Sequence, residues 1–380
     1  MTRTAETRKK FAFIVHPRAD VAEDLGGIVK PLGLIPNRLY DAALSRLPIP
    51  PVTIGDVSFA DRPEETAGHI IMVPLGARRM LLDGRAKVMP RIERAVDLAV
   101  ELGAEIVGLG ALTATVAKGG ALLKGRTDIG VTNGNAYTAW MTFRGLERLL
   151  ADFPHPNPTI AFVGATGSVG TAVVELVAES EMTANIILVA RDMTRLNNLA
   201  DKVRTTDKWM NVTATASIDA VREADIVVLM TSSADALLGS RHLKPGAIVL
   251  DDTQPRNTDP NLAIERPDVL IVDGGLVATP GVEINAHIGL PRGHAYACLS
   301  ETMLLALSGH TGHFSIGNPT RTQIDQVAAA GHRYRHFGFD LASLRSFNNL
   351  IDPVAVAQTR TFVPSRRAVG AAFGQPAFAG

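Results

Sequence analysis

The sequence predicts an α/β fold: a Rossmann-type doubly wound parallel sheet, a separate N-terminal α/β domain and a C-terminal helical segment. Three observations predict it. Short apolar runs alternate with helix-period segments along most of the chain, the rhythm of βα units. Most of those runs are apolar at every position, so their strands are buried on both faces. Between Thr159 and Arg191 a strand, a glycine turn, a helix and a second strand follow one another at the length of half a dinucleotide-binding fold.

In chain order, Phe11 to Val15 reads as the first strand. A Pro- and Gly-dotted stretch follows to about Pro51, rich in loop signals, with no element assigned. Gly68 to Pro74 is a second strand candidate. Ala86 to Leu102 places Val88, Ile92, Ala95, Val96, Ala99 and Val100 on one helix face; Gly103 ends it, and Glu105 to Leu109 returns as a strand. From Gly108 to Asn135 the residues are small and polar and follow a strand, so they are expected over the C-terminal strand ends, where open α/β sheets bind ligands. Tyr137 to Leu150 reads as a helix. The alternating prolines of FPHPNP then form a stiff connector. That connector divides the chain into an N-terminal domain (1–153), a Rossmann domain (158–290), C-terminal helices that pack back on the first domain (291–350) and a flexible tail (351–380).

The turn carries glycines at 164, 167 and 170. Gly164 lets the chain leave the strand sharply, Gly167 lets backbone approach a pyrophosphate, and Gly170 lets the helix pack closely on the sheet. Thr166, Ser168 and Val169 complete the phosphate-facing turn, whose N–H groups sit at the positive end of the helix. At the end of the second strand an NAD site usually has an acidic residue. Here Arg191 stands there, with Arg195 one helical turn on, and two guanidiniums suit a 2′-phosphate, so the cofactor expected is NADPH. A solvated helix start is the plain alternative, and Asp192 could neutralise the arginines. Further apolar strands are Ala224 to Met230, Ala247 to Asp251 and Val269 to Asp273, with a short helix at Ile218 to Glu223. Thr231, Ser232 and Gly274 follow strand ends and are candidates for the nicotinamide-ribose side, or else plain turn residues.

The segment from His294 to Gly309 suggests a helix burying one side, with Cys298 near its start. A thiol in a first helical turn has its thiolate stabilised by the dipole. If the helix begins early, His294 and Glu301 share a face with Cys298 and can move protons. A lone cysteine is equally at home as core filler.

Composition excludes several classes. Lys and Arg number 38 against 38 Asp and Glu, so no net field favours nucleic acid or an anionic membrane. No apolar run reaches membrane-span length, and no secretory signal is read at the N-terminus. One cysteine excludes an internal disulfide and fits a reducing, cytoplasmic location. Ten histidines give no metal site; His310 and His313 lack a carboxylate partner nearby.

The segments GLGALTATV, TNGNAYTAW, VGATGSVGTAV, LVARDMTRLNNL, VDGGLV, YACLSETMLL and HFSIGN, in order from about Ile106 to Gly317, resemble the long-chain acyl-(acyl-carrier-protein) reductases that make fatty aldehydes in cyanobacteria. More distantly the chain is similar to shikimate dehydrogenases and glutamyl-tRNA reductases. The first resemblance implies NADPH-dependent reduction of an acyl thioester, with Cys298 as the residue that becomes acylated. It also implies an acyl-carrier protein or coenzyme A as donor, and an enzyme that consumes the aldehyde as a further partner. Asn133 and Asn135 are candidate oxyanion donors, and Arg78, Arg79, Lys118 and Lys124 a candidate docking patch for an acidic carrier. Two other readings stand beside it. One is direct reduction of a small ketone, with Lys118 or Lys124 and Asp128 carrying the proton; the other is a non-catalytic NADP-binding protein.

Overall fold

The structure is a computed structural model and describes residues 8–17, 30–34, 39–40, 49–233 and 237–362. Two six-stranded sheets organise it. In the first, β1 (Phe11–Val15) is central, flanked by β3 (Gly68–Met72) and β4 (Ile106–Leu109), with β5 (Gly130–Thr132) beyond; these four are parallel. The antiparallel β2 (Val52–Phe59) forms the other flank. Side chains along β1 alternate between two cores, as pleating requires. Ala12 and Ile14 meet Val88, Ile92 and Val96 of a covering helix, whereas Phe11 and Phe13 face the opposite core with Met303 and Leu304. The helices are α1 (Ala77–Leu82), α2 (Arg85–Glu101), α3 (Leu112–Val116) and the long α4 (Asn135–Asp152).

The second sheet comprises β6 (Thr159–Val163), β7 (Asn185–Val189), β8 (Asn211–Thr215), β9 (Ile226–Leu229), β10 (Ile248–Asp251) and β11 (Leu270–Asp273). All are parallel in the order β11-β10-β9-β6-β7-β8, the doubly wound order, with its switch point between β6 and β9. Helices α5 (Ser168–Glu179) and α6 (Met193–Thr206) are its first two crossovers. Leu146 and Leu149 of α4 share one buried cluster with Phe162, Val173 and Leu250 on this side and with Phe11 and Phe13 on the other. Helix α4 therefore joins the two sheets through a common core.

After β11 the chain does not stay with its sheet. A short β12 (Leu276–Ala278) is followed by β13 (Val282–Ile284), which pairs antiparallel with β2 on the edge of the first sheet. The expected span 158–290 thus ends early as a structural unit, because an exposed edge strand in the first domain takes up the returning chain. Next comes β14 (His294–Tyr296), antiparallel to β12. Helix α7 (Ala297–Leu307) then begins, buried at every position from Leu299 to Leu307 with Ser300, Glu301 and Thr302 among its apolar residues, and α8 (Arg321–Arg333) follows. The expected helix from His294 is corrected here: its first three residues are strand. Of the expected tail, Pro353–Phe362 is helical, and 363–380 lie outside the described residues. Among the described residues no helix is long and apolar enough to cross a membrane, and no group of three or more His, Cys, Asp or Glu could hold a metal.

Candidate active site

A cleft of about 280 Å3 opens between the two sheets, and the segments that line it leave the carboxyl ends of parallel strands. From the first domain come Val15, His16, Leu112, Asn133 and Asn135; from the second, Gly167 to Val169, Met230 to Ser232, Asp252, Gly274 and Gly275; from the returning chain, Ile288 and Tyr296 to Leu299.

The glycine turn leaves no room for side chains. Gly164 has φ of 86°, and a Cβ there would lie 2.7 Å from the Met230 carbonyl oxygen; one at Gly170 would overlap the Gly164 carbonyl. Two backbone turns are thereby packed face to face. The N–H groups of Ser168, Val169 and Gly170 form the first turn of α5 and so have no acceptor within the helix, the feature that fits a pyrophosphate. Arg191 is exposed at the end of β7. Arg195 donates from Nη2 to the Thr166 carbonyl at 2.6 Å, which ties the glycine turn to α6. Asp192 is occupied as the cap of α6, accepting from the Arg195 N–H at 3.1 Å. The Thr231 hydroxyl donates to Asn257 Oδ1, while Ser232 is exposed at the cleft.

Cys298 is the second residue of α7, opening onto the cleft from a half-buried position. Gly134, at φ of 76°, places its backbone where any side chain would overlap Cys298 Cβ; the first turn of α7 is thus set against the start of α4. Burial pushes the thiol up to about 12; the Leu299 N–H pulls the other way, and the charges of Asp252 and of Glu301 add to the rise.

Glu301 lies elsewhere. Fully buried, it accepts from Thr132 Oγ1 at 2.5 Å and from the Tyr137 N–H at 2.8 Å, so it caps α4 from outside the helix. Burial raises its carboxyl to about 7 against these donors. His294, on β14 rather than on the helix, holds the Arg292 carbonyl at 3.1 Å through Nδ1 and does not line the cleft. Neither residue shares a reactive face with Cys298, which corrects the expected trio. Asn133 is also corrected: its amide nitrogen donates to the carbonyls of Gly119 and Gly317, and its Oδ1 accepts from the Asn135 N–H, so its polar atoms are occupied. Asn135 donates one amide hydrogen to Ser168 Oγ at 2.8 Å and keeps the other.

Asp252, which sequence reasoning missed, stands at the end of β10 in the cleft. Its Oδ2 lies 2.5 Å from Thr142 Oγ1, and burial raises its carboxyl to about 7, with Asp251 adding to the rise. The first-domain side carries the apolar side chains of Phe13, Val15, Ile54, Met72 and Leu112 beside His16, Thr115 and Thr138.

Residues 151–273 match the family model of shikimate / quinate 5-dehydrogenase. The second domain is an NAD(P)-binding domain of the oxidoreductase type. Two curated relatives are each 27% identical to this chain. The Aminotransferase PigE of a Serratia species aligns over 304 residues, 78% of this chain and 35% of that protein. The long-chain acyl-[acyl-carrier-protein] reductase of Synechococcus elongatus aligns over 221 residues, 56% of this chain and 62% of that protein. The chain spans about a third of the first relative and less than two thirds of the second. Among solved structures, quinate dehydrogenase from Corynebacterium glutamicum in complex with NAD is 15% identical, with 63% of this chain and 79% of that one covered and a TM-score of 0.32. The iminosuccinate reductase of Paracoccus denitrificans in complex with NAD+ is 23% identical, covering 35% and 42%, with a TM-score of 0.28.

The cleft brings together Cys298, Asn133, Asn135, Gly167, Ser168, Val169, Thr231, Ser232 and Gly274 of the expected set. It leaves out the acid–base pair of the ketone reading: Lys118, Lys124 and Asp128 are exposed away from it, and Asp128 is paired with Arg126 at 2.6 Å. A signal for Asp252 was present in the sequence: AIVLDD sets two carboxylates at the end of a wholly apolar strand.

Proposed function

We propose that the protein reduces a fatty acyl thioester, acyl-carrier-protein or coenzyme A bound, to the aldehyde with NADPH, through an acyl group carried on Cys298. The observation that supports this most is the position of Cys298: the first turn of α7, on the cleft that the glycine turn also enters, opposite a mostly apolar wall. A small polar ketone would need charged partners on that wall. Among the described lining there is no lysine. The acyl-carrier-protein reductase resemblance points the same way.

Ser168, Val169 and Gly170 would hold the pyrophosphate by backbone N–H groups, Arg191 and Arg195 the 2′-phosphate, and Thr231, Ser232 and Gly274 the nicotinamide ribose. NADPH bound there supplies the hydride that reduces the acyl carbonyl. The chain's own residues do the rest. Cys298 as thiolate attacks the thioester carbon, and the carbon–sulfur bond to the carrier breaks, so the carrier leaves as its thiol. One thioester replaces another, which makes the exchange close to neutral in energy and leaves orientation as the main task. The second amide hydrogen of Asn135 would stabilise the oxygen as charge develops on it. After reduction the bond to Cys298 Sγ breaks, the aldehyde departs and the thiol is restored.

The test is turnover. NADPH oxidation with palmitoyl-coenzyme A and aldehyde formation are expected of the wild type and not of Cys298→Ala. Reduction of NADP+ with quinate or shikimate, unaffected by that substitution, would contradict the proposal.

A further inference from the structure

We infer that Asp252, together with the Thr142 hydroxyl, is the proton carrier for Cys298, taking the thiol proton in acyl transfer and returning one when the thiol is restored. The inference rests on the acyl-thioester reading above and adds the group that reading lacks, since Glu301 and His294 do not line the cleft.

Hydrogen counting supports it. Thr142 Oγ1 lies 2.8 Å from the Thr138 carbonyl oxygen and 2.5 Å from Asp252 Oδ2. A hydroxyl has one hydrogen, and a backbone carbonyl can only accept. When Thr142 donates to Thr138, the hydrogen in the contact with Asp252 belongs to the carboxyl. When the carboxyl is ionised, the hydroxyl turns and donates to it instead. Thr142 thus provides a partner for both protonation states of Asp252.

The surroundings keep that carboxyl in place on the cleft that Cys298 also lines. A Cβ at Gly275 would overlap Asp252 Oδ1, and one at Gly274 would lie 2.9 Å from Asp252 Cβ, so the bend after β11 leaves space for this side chain alone. Helix α4 presents Thr142. Helix α7 presents Cys298 and, one turn further along, Glu301, whose charge also acts on the thiol although its carboxyl is turned to Thr132 and the Tyr137 N–H. The bend presents no titratable group. On its own strand, Asp251 is held by Thr253 and by the N–H groups of Asn257 and Thr258. Across the cleft stand His16 and His287; His16 accepts from the Leu112 N–H at Nε2 and faces the Pro17 carbonyl through Nδ1.

Cys298 needs such a partner. A thiol pushed up to about 12 is ionised in about one molecule in 10^5 at pH 7. In the first step the Asp252 carboxylate takes the thiol hydrogen as Sγ bonds to the acyl carbon, and the departing carrier thiolate takes that proton away. In the second, the Asp252 carboxylate takes a proton from solvent in the cleft and gives it to Cys298 as the sulfur leaves as thiolate, so that Asp252 is again a carboxylate. Each half-cycle ends with the carboxyl as it began.

Iodoacetamide alkylation of the full chain reads this directly, because Cys298 is the sole cysteine. In the wild type the rate should rise through an inflection near pH 7 and level off. In Asp252→Asn, checked for NADPH binding, the rate at pH 7.5 should fall at least tenfold and the inflection disappear. If Asp252 is only a neighbouring charge, removing it lowers the thiol and alkylation becomes faster, which overturns the inference. A wild-type rate that climbs past pH 9 with no inflection overturns it without any variant. Failure of the acyl-thioester reading is separate: it leaves the alkylation profile intact and shows no acyl adduct on the wild type.

Discussion

Cys298 is held where it is by Gly134, a residue with no side chain and φ of 76°, and this pairing makes a sharp prediction. In Gly134→Ala the new methyl meets the Cys298 backbone and the left-handed backbone costs about 1 kcal/mol more. Acyl transfer should fall at least a hundredfold while the NADPH dissociation constant stays within threefold; parallel loss of both would show that the glycine serves folding alone. Arg191 makes the second. Exposed at the end of β7, it is free to meet a 2′-phosphate by charge-assisted hydrogen bonds of roughly 1.5–3 kcal/mol. Arg191→Ala should therefore weaken NADPH about tenfold or more and leave NADH unchanged in a fluorescence titration. Equal weakening of both would remove the arginine from cofactor choice.

Helices α4 and α7 meet at a buried carboxyl, and their joint stability should depend on pH. Glu301 sits at the start of α4 with its carboxyl raised from an ordinary 4.5 to about 7 by burial. The folded protein then holds a proton that the unfolded chain releases, so this contribution is complete below about pH 4.5 and is lost as pH rises to about 7. The shift corresponds to about 3 kcal/mol. Urea unfolding at pH 5 and pH 7.5 should show a smaller drop for Glu301→Gln than for the wild type; equal drops would contradict the assignment. The same junction shows what the sequence could tell. Elements with unbroken apolar runs or helical spacing were legible: β1, β3, β4, α2, α4 and five strands of the second sheet fall within a few residues of their expected bounds. Among the elements that escaped are strands without an apolar run. In β8 only Val212 is buried, and β2 bends at Gly55, so neither shows a run of apolar residues. For β14, the sequence HAYACL carries helical spacing but pairs with β12, and tertiary pairing decided against the local pattern.

Across the molecule, the site exists because the chain visits the first domain twice. Strands β1 to β5 build the first sheet, β6 to β11 the second, and β13 and α7 return to the first and deliver Cys298 between them. The glycine turn was legible because it lies within one strand–turn–helix unit. The pairing of Asp252 with Thr142 was not, since it joins a strand end and a helix interior that no spacing connects. The roles of Glu301 and Asn133 were misread for the same reason: their partners, Tyr137 and Gly317, are remote in sequence. The central claim, that Cys298 carries the acyl group, is tested most directly by intact-protein mass spectrometry after mixing with palmitoyl-coenzyme A or palmitoyl-acyl-carrier protein without NADPH. One palmitoyl mass on the wild type, none on Cys298→Ala, and its release as aldehyde when NADPH is added is the predicted result. Aldehyde formation by the Cys298→Ala protein would contradict it.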